Sequence, residues 1–265
     1  MKKKFDFIFV VLVYRNTQDL KEFFLSLNLH KVKVIVVNSF LDDLTDYEFK
    51  RIAELNNADY LSVPNKGYGA GNNIGIAHAL TNYSFSFLVV SNADILIKKM
   101  EIESLSKYPL GIYAPSIHTL KGKQQNPHMP YHSKLIDRIK YYYFKKNNWC
   151  VILFFCALNK IFRLFFLLLY QPLGVHKIYS AHGAFVILPW EICHLLYPFY
   201  DENVFLFTEE ENLAQIAKSK GIFTYYVPEI KIKHKEDGSS STIADRQRGI
   251  TRDSYITYWE KWNNK

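Results

Sequence analysis

The sequence predicts an α/β domain built on a mostly parallel sheet with helices on both faces. Three observations predict it. The N-terminal third alternates strand-like apolar runs with segments of helical spacing. Those runs are apolar throughout, as in a sheet covered on both sides. Polar residues then cluster just after the second, third and fourth runs, at the carboxyl edge where ligands of such sheets bind. The 265 residues suit one domain carrying an insertion, and a hydrophobic content of 49% supplies a sizeable core.

Each element can be justified in order. "FDFIFVVLVY" is a first buried strand. Its basic start mimics a signal peptide, but Asp6 interrupts the run and no small-residue cleavage site follows. "TQDLKEFFLSL" has helical spacing, with Thr17 as N-cap. "KVKVIVVNS" is the second strand, Asp46–Asn56 the second helix and "ADYLSV" the third strand. The stretch "SVPNKGYGAGNNIGIAHAL" then turns through Gly67, Gly69 and Gly71 into a helix ending near Leu80. "SFSFLVVSNADI" is the fourth strand. Leu110–His118 is a strand, residues 119–133 a polar loop, and Lys134–Tyr170 a basic, aromatic and apolar segment. "KIYSAHGAFVILPWEI" returns to strand and helix. "FLFTEEENLAQIAKSKG" is a helix with Thr208 as N-cap, Glu211 as its capping-box partner and Gly221 at its stop. "IFTYYVPEIKIKH" is a strand, and residues 241–265 hold a terminal helix.

Charge is unevenly placed. The formal net charge is +8. Between Lys121 and Arg163, nine basic residues are opposed only by Asp137, so this window carries the whole excess. A nucleic-acid binder would spread such charge over its folded surface, and none is expected as a partner. Cys150, Cys156 and Cys193 match no metal spacing or redox pair and read as buried thiols of a reducing compartment.

Two stretches suggest chemistry directly. The three glycines allow close backbone approach, and Asn65, Asn72 and Asn73 bring donors and acceptors. In "VVSNADI", Asn92 and Asp94 sit at a strand's carboxyl edge. Hard oxygen ligands there suit Mg²⁺ or Mn²⁺ neutralising a diphosphate.

In order along the chain stand "PNKGYGAGNNIGI", "SNAD", "HGAFVIL", "FLFTEEENL" and "VPEIKIKHKEDGSS". This series resembles the family 2 glycosyltransferases of GT-A fold, nearest in style to bacterial rhamnosyltransferase-like members. There an "NxGxxxGxN" segment precedes an Asp-x-Asp element, a "GAF" strand, a "FxxxEDxxL" helix start and "VxHxxGxS". The resemblance covers most of the chain and leaves out residues 119–175. It implies an inverting, metal-dependent transfer from a nucleoside-diphosphate sugar to a hydroxyl of a lipid-linked oligosaccharide or polysaccharide, as in capsule or O-antigen synthesis. It implies Asp94 and His234 as metal ligands and Glu210, or else Glu209, as catalytic base. Tyr14, Asn38, Asn65, Gly67, Gly71, Asn72, Asn92, His182 and Gly183 would contact substrate. The chain departs from the family in two places. Asn38 replaces an acid after the second strand, with Asp42 as its substitute, and the "ED" pair is Glu-Glu. A catalytically degenerate sugar-nucleotide binder or scaffold is a competing reading. A nucleotidyltransferase is another, although "VYRNTQD" lacks the glycine-rich loop it would need.

"WCVILFFCALNKIFRLFFLLLY" (Trp149–Tyr170) is long enough to cross a membrane, but Asn159, Lys160 and Arg163 lie near its middle. An in-plane helix is expected, apolar residues in the lipid boundary and Lys/Arg near headgroups. That makes 119–175 a membrane-surface or acceptor-side insertion and places the protein on the cytoplasmic face of the cell membrane. A core or homodimer helix is the alternative. Arg248 and Arg252 share a face of the terminal helix and are expected on phosphate.

Overall fold

The computed structural model describes residues 4–236 and 244–263. The Asp237–Ser240 tail of the last motif and the first residues of the expected terminal segment lie outside them. Strand β1 (Lys4–Val13) leads through α1 (Thr17–Ser26), β2 (Val32–Ser39), α2 (Asp43–Leu55) and β3 (Asp59–Val63) to α3 (Tyr68–Asn82). Then come β4 (Ser84–Asn92), β5 (Ile95–Lys99), α4 (Ile102–Leu105) and β6 (Ile112–Thr119). Two helices follow residues 120–133: α5 (Lys134–Lys145) and α6 (Trp149–Tyr170). The chain ends with β7 (His176–Ile178), β8 (Phe185–Pro189), α7 (Trp190–Leu196), α8 (Glu209–Ser219), β9 (Thr224–His234) and α9 (Ala244–Asn263).

One nine-stranded sheet runs β3-β2-β1-β4-β8-β6-β9-β5, with β7 on β9. Strands β1 to β4 pair in parallel. On the other side β8 is antiparallel to β4, and β5 to β9. Pleating sends alternate side chains to opposite faces. Ile8, Val10, Ile35 and Val37 pack with Ile76 of α3 on one face. Phe7, Phe9, Val34 and Val36 pack with Leu20, Phe23 and Phe49 of α1 and α2 on the other. Both faces are covered, which is why these strands read as unbroken apolar runs.

Local chemistry departs from expectation at five points. Asn16, not Thr17, caps α1, its side chain accepting from the Gln18 amide. Of Gly67, Gly69 and Gly71, only Gly67 takes a left-handed φ, at 107°. Gly69 and Gly71 lie inside α3, so the turn is shorter and the helix begins earlier. Thr208 precedes α8 with φ 65° and makes no side-chain cap, so no capping box forms. Cys150 and Cys156 are exposed, and only Cys193 is buried. Asn159 and Arg163 of α6 turn inward, to the carbonyls of His128 (2.9 Å) and Gln125 (3.3 Å), rather than toward headgroups. Gly221 does end α8, at φ 69°.

Candidate active site

The site grows from the strand ends. β4 stops at Asn92, whose amide donates to the Ala184 carbonyl at 2.9 Å. The turn Asn92–Asp94 then enters β5, whose antiparallel register sets Ile95 opposite His234. Asp94 and His234 are thereby brought face to face, Oδ2 to Nε2 at 3.1 Å, both buried. Lys235 fixes this end of β9, its amide donating to the Asp94 carbonyl and its ammonium meeting Asp19 and Glu22 of α1.

The tautomer of His234 follows from its neighbours. The Gln125 amide nitrogen donates to the Glu236 carboxylate at 2.8 Å, so its carbonyl oxygen faces His234 Nδ1, also at 2.8 Å. Nδ1 therefore carries a hydrogen. In the neutral ring, Nε2 presents a lone pair to the Asp94 carboxylate. A carboxylate oxygen and an imidazole nitrogen facing at 3.1 Å are matched by a proton on Nε2, as an ion pair, or by a cation beside them. An outer partner fixing the tautomer of a histidine is the usual support of a metal ligand. The pair could hold a hard divalent cation.

His182 is set the other way. Its backbone N–H donates to Asn126 Oδ1 at 2.7 Å, and its Nδ1 accepts from the Ala184 amide at 3.1 Å. With Nδ1 spent as acceptor, Nε2 carries the hydrogen. Burial, then His128 and His234, push its pKa well below the ordinary value, so the ring stays neutral. One nitrogen of His128, one of His182 and a Glu210 oxygen lie within 4.8 Å of one another. A metal there would have to take the His182 nitrogen that holds the proton. His182 is instead a hydrogen-bond donor.

Three successive glutamates at the start of α8 meet three environments. Phe207 and Thr208 enter the helix with φ 72° and 65°, a left-handed pair that is costly for an aromatic and a β-branched residue. Glu209 is buried and its Oε1 has no partner. Burial and the Glu210 charge raise its pKa well above the usual range. Glu210 Oε1 accepts the Gly183 amide at 3.1 Å. Glu211 Oε1 lies 3.8 Å from His128 Nε2. Burial would raise Glu211, but the His128 interaction outweighs it and holds the carboxyl near 2. For His128 burial opposes charge, while Glu210 and Glu211 prevail and raise it. Tyr68 of α3 donates to the Gly183 carbonyl at 2.9 Å, fastening this turn from behind.

These groups line one cavity of about 1160 Å³. Tyr14, Asn92, Asp94, His182, Gly183, Glu209, Glu210 and His234 all border it. Asn38, Asn65, Gly67, Gly71, Asn72, Arg248 and Arg252 lie outside its lining. Asn65 closes a local turn on the Gly67 amide. A Cβ on Gly67 would sit 2.2 Å from the Phe205 carbonyl oxygen, and one on Gly71 2.5 Å from Leu12, so these glycines approach protein. Asn72 is buried, donating to the Tyr68 carbonyl while its Oδ1 has no partner. Asn38 donates to Asp46, which also accepts from Tyr60 and Ser62. The carboxylate at the β2 edge is thus Asp46, while Asp42 caps α2. Arg252 pairs with Asp253 at 2.9 Å, and Arg248 stands 5.7 Å from the Trp149 ring. Gln125, Asn126 and His128 belong to the site without having been anticipated. Their only signal was a polar, proline-bearing "QQNPHMP" loop between a strand and a helix.

Solved structures with this architecture are glycosyltransferases of the GT-A type, and the fold is of that type. GalNAc-T7 with UDP, GalNAc and Mn²⁺ superposes with a TM-score of 0.63 at 12% identity, over 98% of this chain and 49% of that one. TarS residues 1–349 from S. aureus give 0.55 at 10%, over 98% and 73%. The Pyrobaculum calidifontis mannosyltransferase PcManGT with GDP-Man and Mn²⁺ gives 0.54 at 16%, over 92% and 60%. The chain therefore spans about half of GalNAc-T7 and three fifths of the mannosyltransferase. No protein-family model matches the chain, and no curated protein matches its sequence.

Proposed function

We propose that the protein is an inverting, metal-dependent glycosyltransferase of family 2 that moves a sugar from a nucleoside-diphosphate sugar to a glycan hydroxyl in bacterial surface polysaccharide synthesis. The observation that carries the proposal is the Asp94–His234 pair, oriented from behind by Gln125, in one cavity with Glu210. UDP and GDP-Man, each beside Mn²⁺ in a structural neighbour, support the donor class and the cation class.

Asp94 and His234 would hold Mg²⁺ or Mn²⁺, which supplies stabilisation of the charge developing on the leaving diphosphate, worth several kcal/mol. Glu210 takes the acceptor hydroxyl's proton. The freed oxygen pair forms the new bond at the anomeric carbon as the carbon–oxygen bond to diphosphate breaks. That electron pair leaves with the diphosphate, and a single displacement inverts the centre. The Gly183 amide holds Glu210 in place, and His182 Nε2–H donates to a sugar or phosphate oxygen. Glu209, whose carboxyl burial holds above the usual range, is the less apt base. The test is a screen of nucleotide sugars by thermal shift with and without Mn²⁺, followed by NMR of the transferred anomeric centre. A donor that stabilises only with Mn²⁺ and yields an inverted product is expected. No stabilisation by any nucleotide sugar would refute the proposal.

A further inference from the structure

We propose that α6 lies flat on an anionic membrane, its outer face in the lipid boundary. The helix has 22 residues, about 33 Å at 1.5 Å per residue, yet only 11% of its apolar window is buried. Phe154, Ile161, Leu164, Phe165, Leu168 and Leu169 are each at least half exposed. A strip of exposed apolar side chains of this kind marks an interaction surface. The opposite face is committed to protein. Asn159 and Arg163 bond loop carbonyls, and Ile152 and Phe166 are buried. A spanning helix would meet lipid all round, whereas this one has a protein side and an open apolar side, the arrangement of an interfacial helix.

Charge chooses between occupants of the open side. The segment before α6, residues 121–148, carries seven basic residues against Asp137, with Arg138, Lys145 and Lys146 exposed on or just after α5. A second copy of the chain would set two such basic segments together, whereas an anionic bilayer complements them. Leu153 and Phe162 belong both to the exposed strip and to the cavity wall. The cavity and the docking face therefore adjoin, and an acceptor hydroxyl carried on a lipid reaches Glu210 from the interface. This last step rests on the sugar-transfer reading; the docking itself does not.

Flotation of the full chain with phosphatidylglycerol and with phosphatidylcholine vesicles tests it. Binding at least about tenfold stronger to phosphatidylglycerol is expected, partly resistant to salt and reversed by alkaline carbonate. Leu164→Glu with Leu168→Glu, on the exposed strip and off the cavity wall, should abolish flotation. Arg138→Glu with Lys146→Glu should weaken it at low salt. Calorimetry of a nucleoside diphosphate with Mn²⁺ on the same variants should be unchanged, which shows that they fold. Vesicle binding without nucleotide binding would leave docking standing and remove the enzymatic reading. Flotation unaltered by the double leucine variant would overturn the proposal. So would retention after carbonate, as would absence of flotation alongside a dimer that the variant dissociates.

Discussion

Glu210 accepts the backbone N–H of Gly183 at 3.1 Å, across 27 residues of sequence. The bond ties the start of α8 to the turn before β8. Glu210→Gln keeps an oxygen for that N–H but removes the base. Transfer is expected to fall by about 10²–10⁴ with nucleotide affinity unchanged. Steady-state kinetics beside calorimetry reads both; full turnover in this variant with loss in Glu209→Gln would move the role by one residue.

Asp94→Ala or His234→Ala should make nucleoside diphosphate binding indifferent to Mn²⁺ and to chelator. Gln125→Leu is the more discriminating change, because it leaves both ligands of the cation in place and removes only the outer partner of His234. Loss of the outer partner should weaken Mn²⁺ by about 10–100-fold. Calorimetric titration with Mn²⁺ checks this, and an unchanged affinity would free His234 from the assigned orientation.

The His128–Glu211 pair sets a pH dependence. His128 has a folded pKa above its ordinary 6.5, so its share of stability is complete below that value and fades as pH climbs through the folded pKa. Glu211 is held near 2, below its ordinary 4.5, so its share is present above 4.5 and is lost as pH falls toward 2. Melting temperatures of wild type and His128→Gln should therefore differ most near pH 6 and draw together as pH rises through the folded pKa of His128. A constant gap from pH 6 to pH 9 would show that the pair is not linked to titration.

Gly75→Ala tests the seating of α3. Alanine is favoured over glycine inside a helix by about 1 kcal/mol. Here its Cβ would lie 2.5 Å from Val10 Cγ1 and 2.7 Å from Val37 Cγ2, on two stiff side chains of β1 and β2. Overpacking costs about 1–3 kcal/mol, so net destabilisation is expected, with the melting temperature lower by a few degrees. A higher melting temperature would mean that the helix shifts freely on the sheet.

Much of this was legible in the chain itself. Unbroken runs such as "FIFVVLV" announced a sheet covered on both faces, and Asp94, Glu210 and His234 fall at element ends where local patterns mark them. What stayed hidden depends on contacts distant in sequence. The glycines of "GYGAGNNIG" look like a ligand loop because they permit close approach, but sequence does not say to what; the partners are Leu12, Val10 and Phe205. Thr208 has the residue type of an N-cap but a left-handed backbone that withdraws its side chain. Gln125 matters only because β6 and β9 are neighbours, which brings residues 109 apart to 2.8 Å.

The placement of Gln125 and Asn126 constrains what a chimaera of this chain can exchange. The loop before α5 carries the partner of His234 and the partner of His182, so it supports both histidines although it precedes α5 and α6. Exchanging residues 119–175 for another segment would remove both partners at once. A seam at Ser133, replacing only 134–170, keeps Gln125 and Asn126 but removes Asn159 and Arg163, whose bonds to the His128 and Gln125 carbonyls hold that loop. The loop and α6 therefore have to be inherited together.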